Sequence, residues 1–139
     1  MRLGEAGAHV ICTGRTSCAE TAAENDSAEV LTLDLVNPLA AKDIFEAHKV
    51  DILINNAGII RRDDTVNFSE ADWDDVMDVN LKAVFFTSQA FAKAVIARKS
   101  EGKIVNIASL LSFQGGIRVP PYTASKQGVA GLTQSMCNE

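Results

Sequence analysis

Three features of this 139-residue sequence predict a doubly wound α/β fold built on a parallel sheet. Four short apolar runs rich in β-branched residues recur along it, patterns of helical period separate them, and no two-residue hairpin turn joins any pair. Strands that alternate with helices of this length form βαβ units, and such crossovers make neighbouring strands parallel. The length suits one domain over residues 1–139, with no internal repeat or low-complexity linker to divide it.

The first run is AHVICTG, residues 8–14, and the second is AEVLTLDL, residues 28–35. Each is bounded by Gly, Asn or Asp and reads as a strand covered by helices on both faces. A helix is predicted in LAAKDIFEAHK, where Leu39, Ile44 and Phe45 share a face with Ala40, Ala41 and Ala47, and Pro38 suits its first turn. The third run, VDILINNAG at residues 50–58, is another strand. A long helix follows from Ser69 to Lys99, with Ser69 and Asp72 spaced as a capping box. GKIVNIAS, residues 102–109, is the fourth strand, and a loop through FQGGIRVPP leads to a helix starting near Tyr122, with Pro120 and Pro121 fixing its first turn.

Composition excludes several function classes. A net charge of −5 with both signs scattered gives no basic surface for nucleic acid or an anionic membrane. AVFFTSQAFAKAVIA is interrupted by Ser88, Gln89 and Lys93, short of the run of about 20 apolar residues that a membrane span needs. Cys12, Cys18 and Cys137 are odd in number and form no CxxC pair, and no apolar signal segment opens the sequence, so a reducing, cytoplasmic setting is expected. His9, Cys12 and His48 lack the spaced second pair that a metal site requires, and Asp72, Asp74, Asp75 and Asp78 do not repeat as a chelating loop. No metal is expected. The acidic residues suit the positive end of a solvated helix.

In a doubly wound sheet, ligands bind outside the carboxyl ends of the strands. Those ends carry Arg15, Asp34, the NNAG of residues 55–58, and Ser109. Tyr122 and Lys126 are four apart and project from one helix face. An ammonium beside a phenol favours the phenolate, which eases proton transfer near neutral pH, and Ser109 can hydrogen-bond an oxygen held before the tyrosine. Taken alone, a Tyr/Lys pair at this spacing reads as an ordinary surface pair. In combination these residues suit proton transfer at a carbinol or carbonyl oxygen.

NNAG after a buried strand, Asn80 and Leu81 within the long helix, a serine thirteen positions before the tyrosine, and YxxxK together resemble the short-chain dehydrogenase/reductase family. The resemblance runs over the whole chain and implies a Rossmann-like fold. It makes Tyr122 the general acid/base, has Lys126 promote its ionisation and hold the nicotinamide ribose, and has Ser109 orient the substrate oxygen. Asn80 would anchor a water linked to Lys126. Asn56, Ala57 and Gly58 would form the turn beside the cofactor, and Asp34 would contact the adenine. The reaction implied is hydride transfer between a nicotinamide and a secondary alcohol or ketone. NNAGIIRRDD and NIASLLSFQGGIRVPPYTASKQGV resemble the sugar-acid branch, with a substrate of deoxygluconate type. Arg61, Arg62 and Arg118 lie in loops that should border such a substrate, and Arg118 is carried as the guanidinium for its carboxylate. Gly14 and Arg15 end the first run where NAD-specific members place an acidic residue; an arginine can pair with a 2′-phosphate, so NADP and NAD both stay open.

The family's glycine-rich turn, TGxxxGxG, is absent: Gly4 and Gly7 precede a strand, and RLGEAGAHV resembles the end of the helix that follows that turn. The chain is therefore expected to be an internal piece of a longer family member, lacking the first strand and the last strands. Without the turn, the backbone N–H cradle for the pyrophosphate is missing. An alternative reading follows, in which the chain is an inactive fragment or a non-enzymatic module that pairs with like chains. The resemblance places a homo-oligomer interface on the two long helices, and the face with Val84, Phe85, Ala92, Val95 and Ile96 is expected to be core plus interface.

Overall fold

The computed structural model describes residues 3–24 and 28–138, and contacts divide the chain into two compact units, Met1–Leu35 and Val36–Glu139.

In the first unit, a 3₁₀ turn over Gly4–Ala6 closes on Gly7, whose φ of 83° only glycine adopts freely. The Ala8 N–H reaches the Leu3 carbonyl at 3.2 Å and the Gly7 N–H reaches Gly4 at 2.9 Å, the paired bonds with which an α-helix commonly ends. The expected helix-end character of this stretch is thus present in its hydrogen bonds. Strand β1, Val10–Gly14, pairs in parallel with β2, Ala28–Thr32, in the register Val10 to Ala28. Between them lies α1, Ala19–Ala23, a helix not read from the sequence: its alanines carry helical propensity but no amphipathic pattern.

The second unit begins with a 3₁₀ turn over Pro38–Ala40 that runs into α2, Ala41–Ala47, as the Pro38 start predicts. Strand β3, Ile52–Asn55, pairs in parallel with β4, Lys103–Asn106, so that Asn55 lies beside Asn106. Between these strands, the predicted long helix is α3, Glu70–Met77, a π-helical turn over Asp78–Lys82, and α4, Ala83–Ala97. Ser69 accepts the Asp72 N–H at 3.1 Å, but the return contact differs from a full capping box: the Ser69 hydroxyl donates to the Asp72 carboxylate at 3.0 Å. Helix α5, Pro120–Met136, starts at Pro120 with both prolines in its first turn, where their missing N–H groups cost nothing.

The strands are parallel as expected, in two two-stranded sheets. Coverage on both faces is not what β3 and β4 show. Ile52, Ile54 and Val105 are 57%, 43% and 44% exposed, whereas the alternate residues turn inward. Runs of β-branched residues do not distinguish a one-sided from a two-sided strand when both sets of positions are apolar. The core of this unit lies where α5 packs on α3 and the π-helical turn and where α2 packs on α4, around Val76, Ala83, Val84, Phe91 and Val129. The expected mixed face of α4 separates accordingly: Val84 is buried, whereas Phe85 and Ile96 are exposed. Among the described residues, no helix is long and apolar enough to cross a membrane.

Candidate functional site

An open cleft of about 450 Å³, within the range of small-molecule sites, lies in the second unit. Its walls come from the turn after β3 (Asn56, Gly58, Ile59, Ile60, Arg62), the end of β4 (Ile107), Leu111, and Tyr122 and Lys126 of α5. Asn56, Ala57 and Gly58 are exposed, as backbone that meets a ligand must be.

Lys126 is only 5% exposed, and its Nζ donates to the Ile107 carbonyl at 2.6 Å. Burial pushes its ammonium below the usual lysine range. The same Nζ stands 5.8 Å from the centre of the Tyr122 ring, so the one-face placement expected for an i, i+4 pair is met. Among the described residues, the Tyr122 hydroxyl makes no hydrogen bond, which leaves it available to a ligand. Two protons of the lysine are likewise uncommitted.

Asn80 is fully buried in the π-helical turn. Its Oδ1 accepts the Ile59 N–H and its Nδ2 donates to the Ile59 carbonyl, each at 2.8 Å, and Nδ2 also reaches Ser125 Oγ at 3.3 Å. The extra residue of a π turn rotates this amide against the cleft turn, a placement that such turns commonly serve. A methyl group added at Gly58 would stand 3.4 Å from Asn80 Oδ1 and 3.8 Å from Lys126 Nζ, so turn, amide and ammonium converge.

Ser109 sits just beyond β4 and caps the 3₁₀ turn Leu110–Ser112, its Oγ accepting the Leu111 N–H at 3.2 Å. Among the described residues its hydroxyl proton has no acceptor and is free to donate, but Ser109, unlike its neighbours Ile107 and Leu111, does not itself line the cleft. The arginines are placed differently from one another. Arg61 pairs with Asp72 and Asp75 at 3.2 and 3.3 Å. Arg118, held at φ 61°, pairs with Asp64 at 2.9 Å and Asp63 at 3.7 Å, and does not line the cleft. Arg62 lines the cleft and has no ion pair among the described residues. Arg15 and Asp34 belong to the first unit, both exposed just after β1 and β2.

One cluster has no counterpart among the sequence expectations. Asn55 Nδ2 donates to Asn106 Oδ1 at 2.8 Å and to Ser88 Oγ at 3.0 Å, while Thr87 Oγ1 donates to Asn55 Oδ1 at 2.9 Å. Asn106 Nδ2 in turn donates to Thr133 Oγ1 at 2.9 Å. The cluster fastens β3 to β4, α4 and α5 directly under the cleft turn. The signal that could have found it is an asparagine as the last residue of both β3 and β4. Of the acidic residues on the long helix, Asp72 and Asp75 pair with Arg61, and Asp78 pairs with Lys82 at 3.0 Å; among the described residues, no three His, Cys, Asp or Glu side chains group to hold a metal.

The residues present fit a nicotinamide ribose. The cleft has an exposed glycine-containing floor, two free lysine protons and an unpaired phenol, which are donors and acceptors for ribose hydroxyls.

The family model described as short chain dehydrogenase matches residues 1–139. The chain is 58% identical over 113 residues, 81% of its length, to 2-dehydro-3-deoxy-D-gluconate 5-dehydrogenase of Escherichia coli strain K12. It superposes with TM-score 0.92 and 61% identity, over 98% of its length, on an Agrobacterium tumefaciens protein described as a 2-deoxy-D-gluconate 3-dehydrogenase, solved with bound NADP. A gluconate 5-dehydrogenase from Burkholderia cenocepacia, in complex with NADP and tartrate, superposes with TM-score 0.85 and 38% identity over 98% of the chain. The chain spans 45% of the Escherichia coli relative and 57% of each of these two solved proteins.

Proposed function

The chain belongs to the short-chain dehydrogenase family, and from that premise we propose that it carries the catalytic half of an oxidoreductase acting on a sugar acid of deoxygluconate type. The observation that carries this reading is Tyr122 with Lys126: an unpaired phenol on the cleft wall, with a buried ammonium 5.8 Å from its ring. In the oxidising direction, the substrate O–H proton passes to the Tyr122 oxygen while Ser109 donates a hydrogen bond to the same substrate oxygen. Lys126 stabilises the negative charge on the phenolate and offers its remaining protons to ribose hydroxyls. A bound nicotinamide supplies the hydride acceptor, or the donor in reverse. The Asn80 amide is spent on Ile59 and Ser125, so its part is to fix the turn after β3 beside Lys126, where a water linking Lys126 to solvent would be held.

Arg62 is the arginine best placed to meet the substrate carboxylate; Arg118 serves that role only if released from Asp63 and Asp64. For the cofactor, Asn56, Ala57 and Gly58 of the second unit would stand beside the nicotinamide; taken by itself, the first unit offers Arg15 for a 2′-phosphate, which favours NADP, and Asp34 for an adenine. The NADP bound in two of the similar structures is in keeping with this choice, with NAD as the alternative. Both units then belong to a cytoplasmic enzyme of this family.

A second reading is favoured by one observation. An apolar groove of about 410 Å³ runs along Leu81, Phe85 and Phe86 against Gly128, Gly131 and Leu132, and suits a like chain laid on the two long helices. Such a chain could persist as an oligomerising module without catalysis.

The experiment is a titration of the folded chain with NADPH and NADH, followed by nicotinamide fluorescence, with circular dichroism on the same sample. Saturable binding, followed by turnover of 2-dehydro-3-deoxy-D-gluconate that Tyr122→Phe abolishes, supports the enzyme. A folded chain that binds neither cofactor sinks it in favour of the module.

A further inference from the structure

We infer that Ser112 is a positioning residue, which fixes Ser109 relative to the helix bearing Tyr122 and Lys126. The inference rests on the proposed roles of those three residues. Ser112 Oγ accepts the Ser109 N–H at 3.2 Å and donates its own proton to the main-chain carbonyl of Lys126 at 2.7 Å. One hydroxyl thus joins the backbone of the hydrogen-bond donor to the backbone of the ammonium-bearing residue.

The need for such a tie follows from the local structure. Strand β4 ends at Asn106, so Ser109 has left the ladder and stands with extended φ −155° and ψ 164°. The turn after it lies against α5, but Leu110 and Phe113 point away from that contact and are 78% and 85% exposed, so these two side chains do not hold it. The Ser109 carbonyl receives the Ser112 N–H at 3.0 Å, which closes the turn upon itself without anchoring it to anything else. Ser112 Oγ supplies that anchor. A donor that must meet a substrate oxygen within a few tenths of an ångström depends on such support.

The test compares wild type with Ser112→Ala and Ser112→Thr in the full chain, by amide hydrogen exchange resolved by NMR and by turnover of 2-dehydro-3-deoxy-D-gluconate. Exchange at the Ser109 N–H should rise roughly 10-fold in Ser112→Ala, with the amides of Val129 to Thr133 in α5 unchanged. kcat should fall about 10-fold with KM for sugar acid and cofactor held within about twofold, and Ser112→Thr should restore both readouts. Should Ser112→Ala fail to fold, Ser112→Cys keeps the size, weakens both hydrogen bonds and carries the same test. Unchanged exchange at Ser109, exchange raised throughout α5, or a kcat that does not follow Ser109 exchange would each overturn the inference. A wild-type chain that turns nothing over defeats the proposed enzyme instead, and Ser109 exchange with its rescue by threonine then decides the tie alone.

Discussion

Asn80 and Ile59 close a reciprocal pair across the second unit, with the side-chain amide donating to and accepting from one residue's backbone at 2.8 Å in each direction. The amide is fully buried, so its loss strands both an N–H and a carbonyl that water reaches poorly. Asn80→Ala is expected to destabilise the chain by about 2–4 kcal/mol, and Asn80→Asp, which sets a carboxylate oxygen against the Ile59 carbonyl at a fully buried place, by at least as much. Urea denaturation monitored by circular dichroism reads both values. Equal midpoints for wild type and Asn80→Ala would show that the turn after β3 does not depend on this pair.

The strands, α5 and the Tyr122/Lys126 face were legible in the sequence because each rests on a local rule: β-branched runs, prolines in a first turn, and i, i+4 geometry. The π turn over Asp78–Lys82 was not, since one inserted residue scarcely disturbs a helical pattern of apolar residues, yet it decides where Asn80 points. The arginines were legible only as a group. Which of them is neutralised depends on Asp63, Asp64, Asp72 and Asp75, and for Arg61 and its partners that contact bridges about a dozen residues that periodicity does not relate. The expectation of two-sided strands failed at Ile52, Ile54 and Val105, because composition records that a position is apolar and not what covers it.

Arg62 and Arg118 should therefore separate when each is replaced by methionine. Arg62→Met is expected to raise KM for the sugar acid about 10- to 100-fold with cofactor affinity unchanged, the loss of one charge-assisted contact of about 1.5–3 kcal/mol. Arg118→Met removes a pair that is half exposed, so its effect on stability should stay within about 1 kcal/mol and its effect on KM within a few-fold. Steady-state kinetics with varied sugar acid distinguishes them. The reverse ranking would mean that Arg118 leaves its aspartates to take the substrate.

Lys126 gives the chain a predictable alkaline behaviour. Burial lowers its ammonium from the ordinary 10.5, so between the folded and the ordinary value the unfolded chain binds more protons than the folded one. Stability contributed by this group then rises with pH across that window, the opposite of a lysine that gains a carboxylate partner. Urea midpoints of wild type relative to Lys126→Met should increase from pH 8 towards pH 10, the difference cancelling the titration of every other group. A flat difference would indicate that the Ile107 carbonyl offsets the burial of the charge.

Asn55 tests the cluster beneath the cleft. Its Nδ2 faces Asn106 Oδ1, and Asn106 cannot turn its amide around without giving up the bond to Thr133. Asn55→Asp puts a carboxylate oxygen against that acceptor and is expected to cost about 2–4 kcal/mol at pH 7, a large share of the roughly 5–15 kcal/mol that holds a domain together. When protonated, the introduced carboxyl regains a donor, so the folded variant should hold that proton more tightly than an ordinary aspartic acid of pKa about 3.9. The folded variant then binds more protons than the unfolded one above that value, and its stability falls as pH rises through the folded pKa. Urea titrations of both proteins at pH 4.5, 5.5 and 7 should show the gap between wild type and variant widening with pH. A gap that stays constant would mean that the carboxylate finds its donors in Thr87 and Ser88 and that the contact with Asn106 carries little of the stability.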